Sequence, residues 1–248
     1  MIRIHSSQHK CLSMYYLRIM RTLYCRYRPF SNMYEHYESI QGLFYNNLHR
    51  HRIVSTNGFA VDLDRLDDDF RIVRFIRDPR DLIISGYFYH LRGAEPWFRM
   101  QSPTPEYWAA INGNIPENMP RGVSYSEYLQ GLSKEEGLVA EIQFRKLHLE
   151  SLRNWPQDER IKMYRYESIL GNEVQVFADI FDFYQLTRFE KLIGTRLAGH
   201  FAYNNRKDDK HIRNPSPGQW HEHFTPAVTD YFDKRYRDIV DDLGYTDA

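Results

Sequence analysis

Residues 71–90, RIVRFIRDPRDLIISGYFYH, set the tightest limit on what this chain can fold into. Ile72, Val73, Phe75, Ile76 and the aliphatic stem of Arg74 make an apolar run of strand length. A basic, proline-broken turn follows, Arg77-Asp78-Pro79-Arg80-Asp81, and Leu82, Ile83 and Ile84 then open a helix that Ser85 interrupts. A strand that passes through a short turn into a helix is half of a βαβ unit, and the pattern recurs. Strands are expected at 1–6, 52–56, 71–76 and 161–168, and helices at 13–27, 32–48, 137–154, 173–184 and 226–242. The expected fold is α/β, three-layered, with a central, mostly parallel sheet flanked by helices. No linker is visible, so residues 1–248 are expected to form a single domain. Segment 93–121, carrying Pro96, Pro103, Pro105, Pro116 and Pro120, reads as irregular, and 199–219 as a mobile polar loop.

Charge narrows the function. Lys+Arg and Asp+Glu both number 33, which argues against a general binder of nucleic acid or anionic membrane but leaves room for a local basic pocket. The two cysteines, Cys11 and Cys25, are too few for a disulfide framework and suit a reducing compartment. No run approaches the roughly 20 apolar residues of a membrane span, and Met1–His5 reads as a strand rather than a signal peptide. A cytoplasmic protein is expected. Tyrosine is abundant, at 19 residues; such rings either fill a core or line an acceptor cleft.

Ligands on parallel sheets bind at the carboxyl ends of strands, where helices begin. Three junctions there carry chemistry. In HSSQHKCLSMYY, 5–16, a helix start with Lys10 and Ser13 suits an anion, while an ordinary helix capped by Ser13 is the plainer alternative. The segment lacks the GxxxxGK[ST] of a nucleotide P-loop. In the opening stretch Arg77 can fork two N–H bonds to an oxyanion and Ser85 can add a third; alternatively Asp78 and Asp81 simply pair with Arg77 and Arg80. The third, HIRNPSPGQWHEHFTP at 211–226, joins Arg213, Gly218 and Trp220 to a helix start at Thr225-Pro226.

Together the three resemble the sulfotransferases that use 3'-phosphoadenosine 5'-phosphosulfate (PAPS). HKCLSMY is similar to the family's P-K-S-G-T-T-W loop, RDPRDLIIS to R-x-x-x-D-x-x-x-S, IRNPSPGQWHEHFT to R-K-G-x-x-G-x-W-x-x-x-F-T, and YRYES to a strand-end Y-E-D segment. The resemblance implies that Lys10, Cys11, Leu12, Ser13 and Met14 hold the 5'-phosphosulfate. It puts Tyr15 and Tyr166 near adenine, and Arg77, Ser85, Arg213 and Asn214 at the 3'-phosphate. It also implies a P-loop-like sulfotransferase fold, no metal, PAP (3'-phosphoadenosine 5'-phosphate) as by-product, and in-line transfer to a hydroxyl of a small-molecule or carbohydrate acceptor, with Lys10 neutralising the leaving oxygen.

The chain departs from the pattern in four places. Leu12 replaces a glycine and is expected at ordinary negative φ. Met14 replaces a threonine, Asn214-Pro215 replaces Lys-Gly, and Asn57 stands where many members carry the catalytic histidine. The candidates for the missing base are Glu35, His36 and Glu38, expected just after the first helix, with Glu35 and His36 preferred. His49 and His51 are expected at the far end of a strand, and His5 and His9 lie in or beside the donor loop. Trp97 and Trp108 are expected on the acceptor side. A P-loop-type small-molecule kinase, or a non-catalytic nucleotide-binding protein that kept the fold, are the competing readings.

Overall fold

The computed structural model describes residues 1–8, 10–26, 33–37, 43–57, 61–109, 111–153, 155–202, 205 and 214–245. In chain order the elements begin with strand β1 (Ile2–Ser7), helix α1 (Ser13–Arg21), β2 (Tyr34–Tyr37), α2 (Leu43–Asn47), β3 (Ile53–Thr56) and β4 (Phe70–Ile76). Five helices follow: α3 (Pro79–Leu91), α4 (Pro105–Ala109), α5 (Tyr125–Gln130), α6 (Lys134–Phe144) and α7 (Lys146–Glu150). The chain ends with β5 (Ile161–Arg165), α8 (Tyr166–Ile169), α9 (Glu173–Phe183), α10 (Arg188–Phe201), α11 (Trp220–His223) and α12 (Pro226–Asp242).

The strands form one sheet in the order β2-β3-β1-β4-β5, every neighbouring pair parallel. The expected α/β fold, a parallel sheet flanked by helices, is the one adopted. Strand order reverses beside the central β1, since β2 and β3 add on one side of it and β4 and β5 on the other. A crevice opens at such a reversal, beyond the carboxyl ends of the strands. The register sets Ser7 beside Phe75, and Ile76 beside Arg165, so β1, β4 and β5 release the chain at one edge.

Two compact units divide the chain: Met1–Arg77 with Pro156–Ile212, and Asp78–Trp155 with Arg213–Ala248. The first holds the whole sheet. All six residues of β1 are buried, as a central strand requires. The His5 ring stacks on Tyr16 of α1 at 3.8 Å, and Phe75 packs edge-on against both His5 and Phe177. The second unit is helical. Its core gathers Phe98, Trp108, Tyr125 and Phe144 around the fully buried Glu141. That carboxylate accepts from Tyr125 Oη at 3.0 Å and Arg145 Nε at 2.6 Å, and pairs with His90 Nδ1 at 2.7 Å. Burial pushes its pKa up, but His90 and Arg145 outweigh that and hold it below the ordinary carboxylate value. Gly86 of α3 leaves room for the cluster: a Cβ there would stand 2.1 Å from Glu141 Oε1.

The largest departure from the sequence expectation is 32–48. Tyr34–Tyr37 is an edge strand, not helix, and among the described residues of this range the α-helix spans Leu43–Asn47. Pairing with β3, begun by the Ile53 N–H to the Met33 carbonyl at 2.8 Å, decides the matter against a weak helical spacing. Five helices lie outside the expected ones: α4, α5, α8, α10 and α11. In α5, Ser124 and Glu127 form a capping box, and in α10, Thr187 and Glu190 do the same. Helix α6 begins three residues before the expected 137, at a Ser133–Glu136 box, and ends at Phe144. β5 stops at Arg165, where α8 begins. Segment 93–121 includes α4 and a short helical turn at Pro96–Arg99. Within 199–219, Gly199–Phe201 belongs to α10 and 214–219 form a hydrogen-bonded turn, while 203–204 and 206–213 lie outside the described residues.

Candidate active site

The β1 to α1 junction is built on unusual backbone. Lys10 has φ 75° and Leu12 φ 59°, both left-handed and both non-glycine. The expectation of ordinary φ at Leu12 is overturned: leucine adopts a left-handed conformation that costs glycine least. Such backbone costs about 1–2 kcal/mol per residue and persists where the surroundings impose it. The surroundings here are a turn closed by Cys11 N–H to the Gln8 carbonyl (3.1 Å), with Gln8 and Cys11 buried. Leu12, not Ser13, takes the N-cap position; no side chain caps the helix, and its first turn carries no acid. Ser13 is the first helical residue, Met14 is half exposed, and Lys10 is partly exposed. A lysine before an uncapped helix start is a donor set suited to a phosphosulfate. Tyr15 is placed differently from its expected role: it is buried, packs on Phe177, and donates its hydroxyl to the Ala198 carbonyl at 2.7 Å.

At the neighbouring carboxyl ends, Arg77 follows β4 and Tyr166 follows β5. The Arg77 guanidinium lies 4.3 Å from the centre of the Tyr166 ring, and both residues are buried. The sheet register thus brings together two residues 89 positions apart that the sequence had assigned to one nucleotide. Three residues before Arg77, burial drives the Arg74 guanidinium down to about 8, a buried charge that its strand pattern disguised as an aliphatic stem.

Of the candidate bases, Glu35 is exposed and accepts the backbone N–H of His36. His36 is partly buried, one residue before the end of β2, and pairs in register with Ser55 and, through it, His5. Ser55 Oγ lies 2.8 Å from His36 Nδ1 and 2.6 Å from Tyr34 Oη. No sequence motif flagged Ser55; the alternation of RIVST, which puts Ile53 and Ser55 on one face, is the signal that was available. His5 is fully buried, its pKa driven well below the ordinary value by burial and then by His36. His51 precedes β3 at its amino end, as expected. His9, Glu38 and Arg213 lie outside the described residues.

In the second unit Ser85 is partly exposed on α3. Asp78 caps that helix, accepting from Arg80 N–H at 2.9 Å, with Pro79 at the first position. The pairing of acids with both arginines, weighed above, holds in part: Asp78 binds Arg80 at 2.9 Å, whereas Asp81 turns to backbone amides of 218 and 220. Asn214 is exposed, its side chain accepting from Ser216 N–H at 2.9 Å. Trp108 is completely buried against Tyr125 and Phe144, a core residue rather than an open wall. Trp97 is half-buried beside Phe98, its indole N–H given to Glu95. Among the described residues no group of three or more His, Cys, Asp or Glu side chains could hold a metal, and no helix is long and apolar enough to cross a membrane.

The family described as "Sulfotransferase domain" matches residues 5–244, and the chain belongs to it. The family's members are PAPS-dependent transferases, which sets the kinase alternative aside. No curated protein sequence matches the chain. Among solved structures it is similar to mouse sulfotransferase SULT7A1 complexed with PAP, at 15% identity and TM-score 0.55 over 98% of this chain and 86% of that one. It is also similar to a retinol dehydratase in complex with retinol and PAP, at 16% identity and TM-score 0.53 over 99% and 83% of the two chains. The same enzyme with androsterone and PAP gives TM-score 0.52 at 16% identity, over 97% and 80%. At these identities the likeness establishes the fold.

Proposed function

We propose that the chain is an active sulfotransferase, residues 1–248 forming one domain, that moves a sulfuryl group from PAPS to a hydroxyl of a small-molecule acceptor. The observation that carries this is the shared edge of β1, β4 and β5, where the Lys10 turn and the Arg77–Tyr166 pair leave the sheet side by side. Bound PAPS supplies an activated sulfuryl group whose departure leaves PAP. Lys10 and the uncapped start of α1, from Cys11 to Met14, hold the 5'-phosphosulfate, and Lys10 neutralises charge on the oxygen that leaves. Arg77, Ser85, Arg213 and Asn214 serve the 3'-phosphate, and Tyr166, beneath Arg77, is the adenine-side ring. Tyr15, committed to the core, is left out of that role.

The base assigned is His36. Ser55 Oγ has two lone pairs, so Tyr34 and His36 Nδ1–H can both donate to it, which leaves Nε2 as the acceptor of the hydroxyl proton. Glu35 has its carboxylate turned to backbone. His36→Ala is expected to cut turnover about 10²–10⁴-fold with PAP affinity unchanged, and Glu35→Gln to keep activity. The neighbours that carry retinol and androsterone support a small apolar acceptor over a glycan.

The deciding experiment is thermal melting with nucleotides. PAP at 100 times its Kd stabilises by about 2.7 kcal/mol, and ATP with Mg²⁺ by far less. Arg77→Ala is expected to weaken PAP by roughly 2–4 kcal/mol and adenosine 5'-phosphosulfate, which lacks the 3'-phosphate, hardly at all. PAP binding with no sulfuryl transfer to any hydroxyl acceptor would instead identify a binding protein that kept the pocket.

A further inference from the structure

The turn from Asn214 to Trp220 is closed from the inside. Pro215 and Pro217 have no N–H to offer. The Ser216 N–H goes to the Asn214 side chain at 2.9 Å. Two further amides of the turn are taken by one buried carboxylate: Gly218 N–H reaches Asp81 Oδ2 at 2.7 Å, and Trp220 N–H reaches Oδ1 at 3.0 Å. Asp81 is fully buried in the first turn of α3. Two further contacts brace the turn. Gln219, also buried, donates to the Asn214 carbonyl at 2.9 Å and the Ser216 carbonyl at 2.8 Å. The Arg80 guanidinium lies 3.7 Å over the Trp220 ring while it bonds Asp78 and the Tyr245 carbonyl.

A carboxylate in this place repels a phosphate and occupies two amides of the turn. It nevertheless fixes Gly218 in left-handed backbone, φ 79°, and through Gln219 fixes the carbonyl of Asn214. We propose that Asp81 is a positioning residue for 3'-phosphate recognition: it holds the 214–220 turn pre-folded through the amides of Gly218 and Trp220, so that Asn214 is presented to the nucleotide from an ordered turn. This rests on the PAPS reading above. The gain is entropic, because a turn already ordered loses no further freedom when the phosphate arrives.

The test compares the affinities of PAP and adenosine 5'-phosphosulfate for wild type, Asp81→Ala, Asp81→Asn and Gln219→Ala, with hydrogen exchange at the Gly218 and Trp220 amides. Asp81→Ala is expected to weaken PAP tenfold or more and adenosine 5'-phosphosulfate less than twofold, with both amides exchanging faster. Asp81→Asn, which keeps one acceptor oxygen, should fall between. If Asp81→Ala does not fold, Gln219→Ala carries the test, with a smaller PAP-selective loss expected. Unchanged PAP affinity despite faster amide exchange overturns the proposal, as does equal weakening of both nucleotides. A wild type that binds both nucleotides alike refutes the 3'-phosphate reading itself, which is a different failure.

Discussion

The chain starts two helices straight from adjacent parallel strands, and it starts them in opposite ways. α1 opens on left-handed Lys10 and Leu12, with no capping side chain and no acid in its first turn. α3 opens on Asp78 as a side-chain cap, Pro79 at the first position and Asp81 at the third. Helix starts carry partial positive charge, and a carboxylate satisfies it as well as a phosphate does. α3 has thus closed its own anion site, and its junction can serve a phosphate only through the side chains of Arg77 and Ser85. α1 has no side-chain cap, and its turn holds two strained residues. On the proposed function, strain would mark the junction that offers backbone to the donor, and regular capping the one that offers side chains.

The sharpest break of that contrast is expected from Lys10→Ala. Turnover should fall 10²-fold or more, about 2.7 kcal/mol in activation free energy, while the melting temperature without nucleotide stays near wild type. Equal losses of stability and turnover would make Lys10 a structural residue of the turn. Asp78→Ala should do the reverse. Losing the cap and the partner of buried Arg80 should lower stability by about 2–3 kcal/mol, read by urea unfolding, and leave Lys10-dependent chemistry in the folded fraction.

Acid should act through β1, the strand that leads into α1. His5 is held neutral by burial, so the folded state binds its proton less readily than the unfolded chain. Stability is therefore present above about pH 6.5 and lost below it, at about 1.4 kcal/mol per pH unit for one proton. His148, in the second unit, is depressed the same way, by burial and then Arg145 and His90. Denaturant unfolding at pH 7.5 and 5.5 measures the slope, and His5→Phe should remove one proton's share; an unchanged slope would contradict the assignment. The smallest effect is expected from Leu12→Gly. Relief of the left-handed strain should raise stability by about 0.5–1 kcal/mol, whereas Asp78→Gly should not stabilise at all. A destabilised Leu12→Gly protein would mean that packing of the leucine outweighs its backbone cost.

Much of the molecule is legible without coordinates. The βαβ rhythm, the place of Lys10 and Arg77 at strand exits, and the Thr225-Pro226 helix start all follow from patterns a few residues long, because they report local burial and backbone preference. The capping boxes at Ser124, Ser133 and Thr187 were equally local signals, although they were not used to place α5, α6 or α10. Other features lie beyond any local pattern. Tyr34–Tyr37 is a strand because β3 offers it partners, and Ser55 serves His36 because the register aligns strands 19 residues apart. Leu12 is left-handed because the turn around it demands that backbone, against the preference of the residue itself. Asp81 and the Gly218 amide lie 137 residues apart, and Glu141 receives groups from 16 and 51 residues away. A sequence determines what each segment prefers; which preferences prevail, and which distant groups share a hydrogen bond, depends on closing the sheet register and burying polar groups with partners, and both are properties of the whole fold.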